Sequence, residues 1–232
     1  YKCFDEGIVN CRDHVVRLMQ KLGNKEKNVI PVRNIEITVD KETGVITMMN
    51  DGNGVDIAKH PDNDLWIPEM IFGHLRTSTN YKKDEKKIVG GKNGFGFKLV
   101  LIYSKWGEIE TVDHVRKKIY KQRFENNLTD ILSPTVKKSK SKPYTKVSWL
   151  PDYERFGISK LTDDMFNLFK KRTFDIGIVT DKSVKVKFNG QAVPNKNFEQ
   201  YMDIYIGSKE ETDRVYETTH DRWEIGACLS PL

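Results

Sequence analysis

Long apolar segments are missing from this sequence of 232 residues. No run approaches the roughly 20 apolar residues that a membrane-spanning helix needs, so we expect no membrane partner. We also expect no signal peptide, because the first residues, Tyr1 to Glu6, already have the character of a helix interior. The chain starts without Met, and we expect it to be an intracellular piece of a longer protein.

Cysteine is scarce, with three residues at positions 3, 11 and 228. Cys3 and Cys11 are eight positions apart on a predicted helix, about 12 Å along its axis, which is too far for a disulfide bond. An odd, scattered set indicates buried thiols in a reducing compartment. No Cys or His residues have the spacing of a zinc site.

The charge imbalance is small, since 39 Lys and Arg residues face 33 Asp and Glu residues, for a net charge of +6. It mildly favours an acidic partner such as a nucleotide or nucleic acid, and solubility explains it equally well. The length suits one large domain, or one domain with an appendage.

Glycine is concentrated in one stretch, Gly90 to Lys98. Its glycines allow positive φ angles and a close approach of the backbone to a ligand. Because the apolar run after it predicts a helix, free N–H groups at the helix start could bind phosphate. A P-loop would end in Gly-Lys-Ser/Thr, and a dinucleotide fingerprint would follow a strand; neither condition is met. The stretch therefore predicts another kind of phosphate loop, or a plain glycine-rich turn.

The first 22 residues predict an amphipathic helix. Its apolar face carries Phe4, Ile8, Cys11, Val15, Leu18 and Leu22. Glu6, Asn10, Asp13 and Arg17 share the opposite face at helical spacing. A carboxylate, an amide and a second carboxylate on successive turns could act as base, metal ligand and orienting group. The alternative is an ordinary solvated face.

Alternation of apolar residues predicts strands, and a period of three to four predicts helices. Strands are expected at Arg33–Asp40, Gly44–Met49, Trp106–Val112, Lys118–Glu125, Tyr144–Leu150, Val184–Phe188, Gln191–Val193 and Trp223–Leu229. Further helices are expected at Pro68–Leu75, Leu161–Phe174 and Asn197–Ile206.

Three polar segments leave alternatives open. Asp51, at a strand end before Gly52, could accept a hydrogen bond from the amine of adenine, although Asp-Gly ordinarily forms a tight turn. The segment from Arg76 to Lys87 suits a lid over a ligand or a solvated loop. Lys137 to Lys146 contains five lysines that could contact a phosphate backbone, but the absence of an aromatic platform favours a solvated connection.

Together, these features resemble the GHKL ATPases, the superfamily of gyrase, histidine kinases, mismatch-repair ATPases and ATP-driven heat-shock chaperones. Within it, Phe4–Asn10, Ile67–Leu75 and Asp84–Gly94 resemble the ATPase domain of eukaryote-type type II DNA topoisomerases. The resemblance implies an α/β (α+β) two-layer sandwich, with a mixed, mostly antiparallel sheet and helices on one face. It also implies an ATP-binding domain over residues 1–215, without its N-terminal strap, and the start of a truncated transducer domain at 216–232.

The resemblance implies roles for individual residues. Glu6 corresponds to the general base that activates water, and Asn10 corresponds to the ligand of Mg²⁺. Asp51 corresponds to the adenine-reading residue, assisted by Thr145. The family residues that contact ribose and phosphate correspond to Ser78, Thr79 and Asn80. The loop around the β- and γ-phosphates corresponds to Gly91, Lys92, Asn93, Gly94, Phe95, Gly96 and Lys98.

Three residues depart from the family pattern. Lys92 stands where Arg is expected, Phe97 replaces a small residue, and His14 stands where the pattern has Asn. Lys92 and His14 are expected close to the nucleotide, so they bear on phosphate and base contacts. Such departures are compatible with a divergent lineage, for example a viral one.

The implied activity is ATP binding and hydrolysis that closes a homodimer gate and drives one DNA duplex through another. We expect it in the nucleus of a cell, or in the virion or viral factory of a virus. One alternative is a GHKL ATPase of the mismatch-repair or chaperone type, against which Ile67–Leu75 speaks. Another is a nucleotide-binding module without catalysis, which Glu6 disfavours.

Overall fold

The computed structural model describes residues 1–62, 64–74, 96–194, 197–220 and 223–229. Its helices are α1 (Lys2–Gly23), α2 (Ile67–Gly73), α3 (Gly96–Ile102), α4 (Asp163–Ile178) and α5 (Phe198–Ile206). Its strands are β1 (Asn34–Val39), β2 (Ile46–Asp51), β3 (Ser104–Asp113), β4 (Lys118–Glu125), β5 (Asp130–Ile131), β6 (Thr135–Lys138), β7 (Tyr144–Pro151), β8 (Lys185–Phe188), β9 (Gln191–Ala192), β10 (Arg214–His220) and β11 (Trp223–Cys228).

Nine strands form one sheet in the order β5-β4-β3-β7-β2-β1-β8-β9, with β6 also paired to β4. Only β1 and β8 run parallel among these pairs; the other neighbours in the described sheet are antiparallel. Strands β10 and β11 form a separate antiparallel pair. The predicted mixed, mostly antiparallel sheet is confirmed.

Helix α1 lies across the centre of the large sheet. The residues of its predicted apolar face are buried from Phe4 to Leu18, whereas Leu22, predicted for the same face, is 41% exposed. Gly7 permits a close approach to the sheet, because a Cβ there would lie 2.7 Å from the sulfur of Met48 in β2. Phe4 also stacks on Phe169 of α4, with ring centroids 4.3 Å apart. The helix layer is therefore tied together and packed directly on β2.

The opposite face of the sheet carries ion pairs instead of helices. Lys121 pairs with Glu108 across β4 and β3 at 3.0 Å, and Lys146 pairs with Glu110 across β7 and β3 at 3.0 Å. These side chains are partly exposed. These partly exposed ion pairs agree with a two-layer arrangement, in which helices cover only one face of the sheet.

The predicted elements differ from the observed ones mainly in the short strands and at the element ends. The sequence does not predict strands β5, β6 and β10, and the connection expected from Lys137 to Lys146 begins within β6. The boundary expected between residues 215 and 216 falls inside β10, while the division into two domains stays a prediction. In the described residues, no helix is long and apolar enough to span a membrane.

Candidate nucleotide site

Three polar side chains form a row across the sheet face that carries α1. Met48 contacts Gly7 of α1, so Asn50, two residues further along β2, points to the same side. Thr145 of β7 is directly opposite Asn50, and Thr111 of β3 is directly opposite Thr145. The hydroxyls of the two threonines are 3.0 Å apart. The strand register therefore places one amide and two hydroxyls side by side beneath the helix layer.

Asn50 is buried, with 6% of its surface exposed. Its Nδ2 donates to the backbone carbonyl of Asp51 at 3.0 Å. Among the described residues, no donor contacts its Oδ1. Although the residue is largely buried, this oxygen keeps some contact with solvent, so it can accept a hydrogen bond from a ligand.

Asp51 does not join this row, contrary to its predicted role. As the next residue of β2 it faces the other side of the sheet. Its carboxylate accepts from the backbone N–H groups of Arg33 at 2.6 Å and Asn34 at 2.8 Å, and from Asn34 Nδ2 at 2.7 Å. Asp51 thus fastens the start of β1, and Asn50 takes its place as the candidate base-reading residue.

Glu6 and Asn10 lie one turn apart on α1 and are both half-buried. Gly96, the first residue of α3, packs against Glu6 so closely that a Cβ there would overlap Glu6 Oε2 and lie 2.9 Å from its Cδ. The amide of Asn10 makes no hydrogen bond to the described part of the chain. The structure therefore brings the predicted base to the end of the glycine stretch and leaves the neighbouring amide available.

The same face of α1 is not an ordinary solvated surface. Asp13 is 1% exposed. Burial lowers the pKa of Arg17, while the charge of Asp13 acts in the opposite direction. The solvated alternative for this face is wrong at Asp13, because a solvated carboxylate would be exposed.

His14 connects α1 to the loop after β2. Its Nε2 lies 2.7 Å from the carbonyl oxygen of Asn53 and donates to it. Burial lowers the pKa of His14 to about 4, so the ring is neutral at pH 7. The Asn53 side chain accepts from the N–H of Ile30 at 2.7 Å and donates to the carbonyl of Asn28 at 3.2 Å. The loop is thereby held between α1 and the segment before β1.

Gly54 lets this loop touch β3. A Cβ at position 54 would overlap the carbonyl oxygen of Val112 and lie 2.7 Å from Thr111 Oγ1. Thr111 Oγ1 accepts from the N–H of Val55 at 2.9 Å and donates to the carbonyl of Tyr144 at 3.0 Å. Its proton is thus committed, so the Thr145 hydroxyl is the donor in the contact between the threonines.

Besides Gly96, helix α3 carries two further residues singled out in the sequence. Phe97 is 9% exposed and makes edge-on contacts with Phe72 of α2 and Trp149 of β7, each at 5.5 Å. The departure at position 97 therefore fills space between α2, α3 and the sheet. Lys98 is also buried, and this burial lowers its pKa.

Eight predicted site residues lie outside the described part of the chain: Ser78, Thr79, Asn80, Gly91, Lys92, Asn93, Gly94 and Phe95. Their roles stay predictions. Within the described residues, no group of three or more His, Cys, Asp or Glu side chains could hold a metal ion. A metal at this site would depend on Asn10 and on oxygens of a bound ligand.

Comparison with known proteins gives consistent matches, although no family model matches the chain. The chain is 42% identical over 233 residues to DNA topoisomerase 2 of Acanthamoeba polyphaga mimivirus, covering 100% of this chain and 17% of that protein. It is 40% identical over 237 residues to DNA topoisomerase 2 of Arabidopsis thaliana, covering 99% of this chain and 15% of that protein. It therefore spans about a sixth of the length of these relatives.

Solved structures give the same result. The ATPase region of Saccharomyces cerevisiae topoisomerase II superposes with a TM-score of 0.89 at 36% identity, covering 99% of this chain and 58% of that one. The ATPase and transducer domains of DNA topoisomerase II from Balamuthia mandrillaris superpose with a TM-score of 0.83 at 33% identity, covering 97% of this chain and 55% of that one.

Proposed function

This chain belongs to the type II DNA topoisomerase family, whose ATPase region it matches, and on that basis we propose that it binds and hydrolyses ATP. The observation that carries the proposal is the packing of Gly96 on the Glu6 carboxylate. It joins the end of the glycine stretch to a possible base, on the same side of the sheet as Asn50 and Thr145.

Glu6 acts as the general base in this proposal. Its carboxylate takes a proton from the water that attacks the γ-phosphorus. The bond from that phosphorus to the bridging oxygen breaks, and ADP and phosphate result. Lys98, two residues after Gly96 in α3, supplies a positive charge for the phosphoryl oxygens.

Asn10 holds Mg²⁺ in this proposal. Mg²⁺ commonly binds through one or two protein oxygens together with substrate phosphates, which suits a single amide without a partner in the described residues. When bound, the ion offsets charge on the phosphate oxygens.

The base of ATP lies on the row of Asn50, Thr145 and Thr111. Asn50 Oδ1 accepts from the exocyclic amine of adenine, whereas guanine presents a carbonyl at that position. The neighbouring Thr145 hydroxyl bonds to Thr111 and borders the same space. This assignment transfers the adenine-reading role from Asp51 to Asn50.

For the longer protein, we propose that ATP binding closes a homodimer gate and that hydrolysis accompanies passage of one DNA duplex through another. The partners are then duplex DNA and a second copy of the chain. The relatives include a viral and a plant enzyme, so the proposed location is intracellular, in a nucleus or in a viral factory or virion.

The test is Glu6→Gln, measured by single-turnover ATP hydrolysis and by nucleotide binding. The amide keeps the size of the side chain and removes the base, so hydrolysis should fall about 10²–10⁴-fold while ATP still binds. Glu26→Gln, an exposed position just beyond α1, is the matched control and should hydrolyse ATP at the parent rate. Hydrolysis by Glu6→Gln at the parent rate would contradict the mechanism.

A further inference from the structure

Six lysines gather along one border of the large sheet: Lys117, Lys118, Lys137, Lys138, Lys140 and Lys142. We call this group the lysine edge. It forms because β6 pairs antiparallel with β4, which puts Lys138 opposite Lys118. The N–H of Ser139 then donates to the carbonyl of Lys117 at 2.8 Å, so the connection after β6 stays beside the β3–β4 turn.

The lysine edge lacks the charge compensation seen elsewhere on the sheet. Lys121 and Lys146 each contact a glutamate of β3. Among the described residues, no carboxylate lies within ion-pair distance of any member of the lysine edge. Lys118 lies over the ring of Trp66, with Nζ 5.6 Å from its centroid, and the other five are exposed.

Lysines on an exposed sheet border can serve to prevent pairing with another chain, but this role explains only some members of the lysine edge. Lysines on an edge strand hinder pairing with another chain, and Lys137 and Lys138 of β6 suffice for that purpose. Lys140 and Lys142 follow in the connection, and Lys117 lies in the turn before β4. Their charges extend the positive row past the strand that needs protection.

We propose that the lysine edge binds the phosphate backbone of duplex DNA. Residues 137 to 142 span about 16 Å if extended, at about 3.3 Å per residue. A duplex carries one negative charge per about 1.7 Å of axis, so a row of this length faces several phosphates. The segment from Thr135 to Lys142 contains no aromatic residue on which an unpaired base could stack. The Trp66 ring at this border already packs against Tyr120 and lies under Lys118, so the surface favours a duplex over a single strand.

This surface is separate from the nucleotide site. Val136 lies in the same cross-strand row as Tyr120, Thr111, Thr145 and Asn50. Four strand spacings of about 4.8 Å put Asn50 roughly 19 Å from the lysine edge. DNA binding here therefore requires neither bound ATP nor hydrolysis, although the choice of DNA as the polyanion rests on the proposed function.

The experiment measures binding of a fluorescent 20-base-pair duplex by anisotropy between 50 and 200 mM salt. The test variant carries Lys137→Gln, Lys138→Gln, Lys140→Gln and Lys142→Gln. The control removes the same charge from exposed lysines elsewhere, by Lys160→Gln, Lys170→Gln, Lys182→Gln and Lys209→Gln. The test variant should bind at least tenfold more weakly at 50 mM salt, and its slope of log affinity against log salt should shrink by about 3–4.

Equal losses in the test and control variants would overturn the proposal, because net charge would then explain binding. So would a single strand that binds as tightly as the duplex, or a parent chain that binds no duplex. Replacing the same four lysines with Arg should retain binding, which separates loss of charge from loss of structure. ATP binding by the same proteins is measured in parallel, so failure of the nucleotide proposal appears there and leaves the DNA result readable.

Discussion

The two ends of the nucleotide site are built differently. At the base end, strand register aligns Asn50, Thr145 and Thr111, and Gly54 abuts backbone atoms of β3. At the phosphate end, Gly96 abuts the tip of the Glu6 side chain. Backbone in a sheet cannot move aside, whereas a side-chain tip can rotate. Crowding should therefore cost stability at the base end and activity at the phosphate end.

Gly96→Ala tests the phosphate end and should have the largest effect. The added Cβ displaces the Glu6 carboxylate, because this flexible tip yields before the fold does. Hydrolysis should fall about 10²–10⁴-fold, as for loss of the base, with the melting temperature nearly unchanged. Single-turnover kinetics and thermal melting measure the two quantities.

A matched control for that substitution is Gly23→Ala at the end of α1, where a Cβ would meet nothing within 4 Å. It should leave hydrolysis intact. If Gly96→Ala hydrolyses ATP at the parent rate, hydrolysis does not depend on the observed position of the Glu6 carboxylate, and the proposed mechanism fails.

Gly54→Ala tests the base end. Its Cβ would overlap the carbonyl of Val112, which strand pairing holds in place. Overpacking of this kind costs about 1–3 kcal/mol, so the free energy of unfolding should fall by that amount in urea titration. A variant that keeps full stability but loses ATP binding would show that the base end yields as easily as the phosphate end.

Asn50→Leu removes the acceptor for adenine. A nucleotide amine left without a partner should weaken ATP binding by about 1–3 kcal/mol, measured by calorimetry, and reduce the preference for ATP over GTP. Asn50→Asp keeps an oxygen acceptor and should retain that preference.

Asp51→Asn supplies the contrast one residue away. It weakens the fastening of Arg33 and Asn34, so stability should fall while the preference for ATP persists. Loss of the preference in Asp51→Asn, together with its retention in Asn50→Leu, would restore Asp51 as the base-reading residue.

The sequence pattern does not determine whether Asn50 or Asp51 faces the nucleotide side of the sheet. Alternation predicts β2, but Met48 and Met49 are both apolar, so the pattern does not fix which face the following residues take. Pairing of Asn50 with Ile35, a buried residue of β1, settles the question, and that is long-range information. A slip of one position exchanges a ligand-facing residue for a structural one.

Helical periodicity predicts the face of a residue on α1 more reliably than the alternation of apolar residues predicts it on β2. Steps of three and four place Glu6 and Asn10 on one face of α1, as observed. The contact between Gly96 and Glu6 depends on how α3 packs, which no local pattern encodes. Strand β6 was missed because an edge strand needs only backbone pairing on one side, and its lysines indicated a solvated connection.

The smallest predicted effect concerns His14, which fastens α1 to the base end. Its pKa is lowered by burial to about 4, whereas an unfolded histidine has a pKa near 6.5. Between these values the unfolded chain binds more protons than the folded one, so stability falls as pH falls. The full contribution is present above about pH 6.5 and is lost toward pH 4. From pH 6 to pH 5, the free energy of unfolding should decrease by about 1 kcal/mol on account of this residue.

His14→Asn isolates that contribution from the carboxylates that titrate in the same range. The shorter amide loses the reach of Nε2 to the carbonyl of Asn53 but does not titrate, so the stability of the variant should depend less on pH between 6 and 5. Urea titrations of parent and variant at both pH values give the difference between the two slopes. Identical pH dependence would mean that His14 takes up a proton without leaving its site. The base end would then tolerate a buried charge, which contradicts its description as the rigid end of the pocket.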